Sequence, residues 1–275
     1  MDDPFDAHAG AVGPLQRGTM LLRQLATASA RGIALTELSA RTGLPHSTVH
    51  RLLATLIREG LAIQLEDTKS YALGPLVFEL GLAATPRFDA RGAFHPVLER
   101  LARESGDTAY VHMRSGFETV CLEMVEGTAA IRVVPLRIGS RRPLGLGAGG
   151  LAILAALNDA ERDEVLSQVA PGIERDWKFP QRSVRASVDE TRRLGYALIR
   201  NRVTPGVAAL GVPYNDSLGR VAGALTIASV NEQMNATRIA ALHALLKHAV
   251  KEVEQRLRSG RSFDRSSQGA LRIKA

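Results

Sequence analysis

Leu35-Thr36-Glu37-Leu38-Ser39-Ala40-Arg41-Thr42-Gly43-Leu44-Pro45-His46-Ser47-Thr48-Val49-His50-Arg51-Leu52-Leu53 is the stretch on which the N-terminal fold turns. Thr36 is placed to cap a short helix over Glu37 to Thr42, because its hydroxyl can accept from the N–H groups that a first turn leaves without partners. Gly43 closes that helix, since glycine takes up left-handed backbone at no steric cost. Pro45 opens the next helix, where its fixed φ is pre-organised and its missing N–H is not needed. This second helix runs to Glu59 and is closed by Gly60. Val49, Leu52, Leu53 and Leu56 recur at i, i+3, i+4 and i+7, one apolar stripe that has to pack on other elements. The opposite face presents Ser47, His50, Arg51, Ala54 and Arg58, with His46 and Thr48 in the first turn. Short donors first and arginine later suits a helix whose N-terminal end enters a DNA major groove. The fork of Arg51 matches the two major-groove acceptors of guanine.

On either side the sequence completes the unit. Upstream, Leu15, Leu21, Leu22 and Leu25 stripe a helix from Leu15 to Ala28. Downstream, Leu61 to Leu65 is extended, Glu66 to Lys69 is a polar turn, and Ser70 to Leu73 returns. That makes a β-hairpin wing, with Lys69 and Tyr71 suited to DNA backbone contact. Without these neighbours the amphipathic helix could equally be a solvated surface helix; with them it reads as a winged helix-turn-helix on double-stranded DNA. His46 and His50 are four residues apart, a spacing that can put two imidazoles on one metal ion, but no third ligand lies nearby and no metal is expected.

A second domain follows. Phe78 to Ala84 reads as a linker helix broken at Pro86, within a linker of residues 76–88. Over 89–258 the pattern gives a helix (Ala93 to Glu104), a hairpin (Thr108 to Arg114, Phe117 to Val125) and a strand from Ala130 to Leu136. Helices at Gly150 to Leu157, from the Asn158/Glu161 capping box to about Val169, and at Ser187 to Leu194 come next. Strands at Tyr196 to Arg200, Val207 to Pro213 and Val221 to Val230 precede a terminal helix, Ala236 to Leu257. The class is α+β with a mainly antiparallel sheet. Residues 1–12 read as a disordered arm and 259–275 as a mobile basic tail.

Bulk properties limit the alternatives. The 275 residues are 45% hydrophobic and 23% charged, which is ordinary for a globular chain of two domains. No apolar run approaches the ~18 residues of a membrane helix, and the acidic N-terminus is no secretory leader, so the expected location is cytoplasmic. Cys121 is the single cysteine, which excludes a disulfide framework. The net charge is +7. Residues 13–74 hold seven Lys/Arg against four Asp/Glu, a net of +3. Residues 251–275 hold seven against three, a net of +4. Charge alone therefore does not mark the DNA-binding part.

The segment from Leu35 to Leu53 resembles the helix-turn-helix of the IclR family of bacterial transcription regulators nearly throughout, and Tyr71-Ala72-Leu73-Gly74-Pro75 resembles its wing exit. The resemblance spans roughly Gly13 to Leu257. It implies a winged-helix domain of residues 13–75, a linker helix, and a C-terminal effector-binding domain of GAF-like fold. It also implies homodimers, often paired into tetramers on DNA. The family's DNA contacts fall on Arg17, Pro45, Ser47, Thr48 and Arg51. With Thr36, His46, His50, Lys69 and Tyr71 these make up the candidate DNA-binding set.

Leu144-Gly145-Leu146-Gly147-Ala148-Gly149-Gly150 contains a G-x-G-x-x-G spacing, but neither a strand directly before it nor a βαβ frame is expected, so a dinucleotide loop does not fit and no cofactor is expected. Glycines ahead of a helix instead expose N–H groups that favour an anion such as a carboxylate. Ile138 to Leu144 resembles the approach to the family's effector pocket. Carried over by position, that pocket takes in Ala148, Gly149, Ile199, Val207, Ala209, Thr226 and Ala228. The sequence departs from the family here: positions that often hold an acid, a cysteine or serines are Ile, Ala, Thr and Ala, a common histidine is Gly145, and a common lysine is Leu151. The expected effector is a bulkier, partly apolar organic acid, aromatic in one version of the reading. No nucleophile–base pair or paired carboxylates stand out, and His95, His112, His243 and His248 read as structural. The alternative left open is a metabolite-binding protein or enzyme with an accessory DNA-binding domain.

Overall fold

The computed structural model describes residues 13–28, 31–88, 91–129 and 136–260. The expected arm (1–12), all but the last residue of the strand expected from Ala130 to Leu136, and the tail after 260 lie outside them. The chain divides into two compact units, residues 1–89 and 90–275.

In the first unit, α1 (Pro14–Leu25), α2 (Leu35–Thr42) and α3 (His46–Arg58) are followed by a hairpin of β1 (Ala62–Gln64) and β2 (Tyr71–Leu73), then by α4 (Pro75–Phe88). Leu21, Leu25, Leu38, Val49, Leu53 and Leu56 are buried together, so each of the three helices turns its apolar stripe inward. Gly43 is left-handed at φ 69° and caps α2, with its N–H bonded to the Ser39 carbonyl. Thr36 is not the N-cap. α2 starts two residues earlier, at Leu35, Ala34 takes the cap position, and no side chain caps it. Gly74 is required by a close approach: a Cβ there would collide with the Gly60 carbonyl. α4 begins earlier than expected and continues through Pro86. A proline inside a helix removes one backbone hydrogen bond and can kink the helix without ending it.

The second unit is a six-stranded sheet between two helical layers. Its strands are β3 (Thr108–Ser115), β4 (Glu118–Val125), β5 (Arg141–Pro143), β6 (Ala197–Arg200), β7 (Val207–Asn215) and β8 (Val221–Val230), in the order β5-β4-β3-β8-β7-β6 with every pairing antiparallel. Alternate residues serve opposite faces. Val111, Leu210, Leu225 and Ile227 face α5 (Arg91–Ser105) and α9 (Ala236–Gly260). The other face meets α6 (Ala148–Ala156), with α7 (Asp159–Trp177) and α8 (Gln181–Leu194) beyond it. A bulge at Leu122 inverts the alternation within β4: Cys121 lies opposite His112, but Glu123 lies opposite Val111. Glu123 is thereby turned towards α5, where it meets His95 Nδ1 at 2.5 Å.

Four expectations about this unit are corrected. α8 begins at Gln181 and not at Ser187. β5 was not expected; it has three residues, too few to show periodicity. α7 continues through Pro171 to Trp177 instead of ending near Val169. α6 starts at Ala148, two residues before Gly150.

Candidate functional site

The α3 face has the character its sequence suggests. Pro45, His46, Ser47, His50 and Arg51 are exposed, and Thr48 is partly buried. Val49, Leu53 and Leu56 anchor the helix from behind, so the exposed side chains stand on a rigid element. Thr36 is exposed in the first turn of α2, and Arg17 is partly buried on α1. Lys69 is exposed in the wing turn, with left-handed backbone at φ 54°. Tyr71 departs from the expectation. It is only 6% exposed, its ring belongs to the core of the unit, and its backbone bridges to Ile33. A side chain so enclosed fastens the wing and is not offered to a DNA backbone. Among the described residues no group of three or more His, Cys, Asp or Glu side chains could hold a metal ion, so His46 and His50 gain no third ligand.

In the second unit a pocket opens on the sheet face beneath α6. All seven residues carried over by position line it. Ala148 and Gly149 come from the start of α6. Ile199 comes from β6, Val207 and Ala209 from β7, and Thr226 and Ala228 from β8. Register explains the convergence: Ala209 pairs with both Ile199 and Ala228, so these side chains share one face. Val203 and Thr204 close one side from the loop after β6. Asn201 holds that loop in shape, its side chain accepting from the Gly206 N–H at 2.8 Å.

Further residues line the cavity that sequence reasoning did not assign to it, among them the polar Tyr110 and His112 from β3, Thr119 from β4, Ser140, and Arg142 from β5. They add polar groups to a lining that remains mainly apolar. His112, read as structural, is buried in the lining, and its Nε2 lies 3.0 Å from Thr226 Oγ1. Gly149 makes room for it. A Cβ at 149 would stand 2.6 Å from His112 Cδ2, so only glycine lets the imidazole lie against the helix start. Burial, with the nearby Arg142 adding to it, lowers the His112 pKa to about 4, and the ring is neutral at pH 7. Burial also raises the Tyr110 phenol, and it raises the Cys121 thiol to about 12. Cys121 is thus an inert thiol behind the lining.

The glycine-rich loop also differs from its sequence reading. β5 stands directly before it, but in an antiparallel sheet, so the parallel frame of a dinucleotide fold is absent. Gly145 makes the turn at φ 92°, Gly147 is the N-cap of α6, and Gly150 lies within the helix. No side chain caps α6, and the N–H groups of Ala148, Gly149 and Gly150 belong to its positive end.

Comparison with known proteins agrees with both units. Residues 14–66 match the IclR helix-turn-helix domain, and residues 82–255 match the C-terminal domain of the bacterial transcriptional regulator IclR. Among relatives, the HTH-type transcriptional regulator KipR of Bacillus subtilis is 28% identical over 230 residues, covering 82% of this chain and 90% of KipR. An IclR-type transcriptional regulator from Silicibacter sp. TM1040 superposes with a TM-score of 0.73 at 25% identity, covering 90% of this chain and 96% of that one. An IclR homologue from Microbacterium hydrocarbonoxydans, solved with 4-hydroxybenzoate, superposes with a TM-score of 0.67 at 22% identity, covering 90% of this chain and all of the other. These are regulators and not enzymes, which removes the alternative of an enzyme with an accessory DNA-binding domain. No helix among the described residues is long and apolar enough to cross a membrane. With its helix-turn-helix unit and its sheet-and-helix unit both matched, the chain belongs to the IclR family of DNA-binding bacterial transcription regulators.

Proposed function

We propose that this regulator is switched by a small organic acid, aromatic or otherwise partly apolar, held in the cavity beneath α6. One observation carries the reading: a single cavity joins an uncapped, glycine-rich helix start to an apolar wall of Ile199, Val207, Ala209 and Ala228. The helix start favours a carboxylate and the wall favours a hydrophobic body. The Microbacterium relative was solved with 4-hydroxybenzoate, an acid of this chemistry, and that supports the choice of class.

In the same proposal Arg51 reads a base edge. Pro45, His46, Ser47, Thr48 and His50 fit around it, and Arg17, Thr36 and Lys69 reach phosphates. Tyr71 is withdrawn from the set because it is buried. The acting species is a homodimer or a dimer of dimers. Phe78, Leu80 and Leu82 leave more than half of their surface exposed on α4, which supports an apolar contact between copies. The acid would shift two arrangements of the assembly by its difference in affinity for them, and so alter the spacing of paired recognition helices. Thermal-shift measurements with a panel of organic acids test the reading. Stabilisation by benzoate-type acids is expected. Stabilisation only by small hydrophilic acids such as glyoxylate, or by none, refutes it.

A further inference from the structure

β5 is an edge strand paired only with β4, and arginine on a sheet edge ordinarily carries its charge out to water. Arg141 bonds Glu118 Oε2 at 2.9 Å and Ser115 Oγ at 3.0 Å. Arg142, on the opposite face of the strand, is partly buried and lines the cavity. Its guanidinium carbon lies 5.7 Å from the ring centroid of Trp177, the last residue of α7. The lining includes this cation and no carboxylate among the described residues, so its field favours an anion.

The sheet order gives the cavity a direction. Arg142 stands at the β5 edge, the His112–Thr226 pair lies on the central strands β3 and β8, and the apolar wall is on β7 and β6. The charged residue and the apolar wall thus come from opposite ends of the sheet order. A second charge on a ligand would have to be buried against Ile199 and Val207, which is costly.

We infer that Arg142 selects a monocarboxylate in this cavity, and that Trp177 is a positioning residue that holds the guanidinium over it. The inference rests on the reading of the cavity as an organic-acid site. Arg142 supplies the charge and a donor fork that matches a carboxylate, while the central His112, neutral at pH 7, adds a hydrogen-bonding group without a second charge. Trp177 lends its ring face to a partly desolvated guanidinium.

The test is calorimetric titration of the full chain with benzoate, 4-hydroxybenzoate and phenylacetate, each beside its uncharged methyl ester. Trp177 is the chain's single tryptophan, so its fluorescence reports occupancy independently. At least one acid is expected to bind the unaltered protein tenfold or more tightly than its ester. Arg142→Leu should abolish that preference, and Arg142→Lys should retain part of it. Trp177→Leu should weaken the acid by about three- to thirtyfold and have no further effect in the Arg142→Leu background. Thermal melting establishes that each variant is folded, and the lysine variant keeps the test open if the leucine variant is not. An acid preference undiminished in the Arg142 variants overturns the inference and leaves the pocket reading standing. Equal binding of acid and ester by the unaltered protein does the same. No binding of any of these compounds overturns both.

Discussion

Replacing Gly149 by alanine sets two effects against each other, and the structure decides between them. Inside a helix the change should stabilise by roughly 0.5–1 kcal/mol, because glycine loses more backbone freedom on folding. The new Cβ, however, would lie 2.6 Å from His112 Cδ2 and 2.8 Å from Cγ. His112 is buried and bonded to Thr226 at 3.0 Å. Forcing a carbon into that contact costs about 1–3 kcal/mol, and displacing the ring forfeits a hydrogen bond of about 1 kcal/mol. The net is a loss of about 2 kcal/mol, which lowers the transition of a unit this size by about 4–8 °C. Scanning calorimetry of the full chain measures this, with the N-terminal transition as internal reference. Gly18→Ala is the control. It lies in α1, a Cβ there meets nothing within 4 Å, and the N-terminal transition should rise. If Gly149→Ala also raised its transition, or left it unchanged, the packing of His112 against the helix start would be refuted.

Arg51→Ala should weaken operator binding by about 1–3 kcal/mol and relax sequence preference at one base, with the melting of the exposed-face variant unchanged; equal loss on all sequences would make Arg51 a phosphate contact. Lys69→Ala should weaken binding to every sequence and reduce the salt slope by about 1, whereas Tyr71→Phe should leave affinity and slope as they are, since Tyr71 is buried. Stability should fall with acid over a defined window. The His112 pKa is lowered to about 4 in the folded state, against about 6.5 for an unfolded histidine. The unfolded chain therefore binds more protons between these values, and the C-terminal unit loses stability as pH falls from 6.5 towards 4. His95 works the other way. Its pKa is raised, through the hydrogen bond to Glu123 first and the charge of Glu123 next, so its stabilisation is lost as pH rises. His112→Gln should flatten the acid-side loss in melting curves and leave the His95 contribution in place.

The N-terminal unit was legible because its signals are local. The 3.6-residue stripe of Val49, Leu53 and Leu56, the left-handed Gly43 and the Pro45 start each act within a few residues. Tyr71 was misread because a three-residue strand shows too little alternation to tell its inner face from its outer one. The cavity was legible only in part. Ala148, Gly149, Ile199, Val207, Ala209, Thr226 and Ala228 could be carried over from a resemblance, but His112 meets Thr226 across a separation of 114 residues, and no spacing signals such a pair. Arg142 was hidden by the brevity of β5. Its neighbour Arg141 has the same composition and the opposite face, and only the pairing of β5 with β4 tells them apart.

The central claim is that occupancy of the cavity governs DNA binding. The direct measurement is the dissociation constant of the full chain on an operator located by genomic footprinting, taken at fixed salt with and without a saturating acid whose binding calorimetry has established. A coupling of about 1–3 kcal/mol, a change of roughly five- to 150-fold, is the predicted result, and it should vanish in a variant that no longer binds the acid. An operator affinity identical with and without the bound acid would contradict the account.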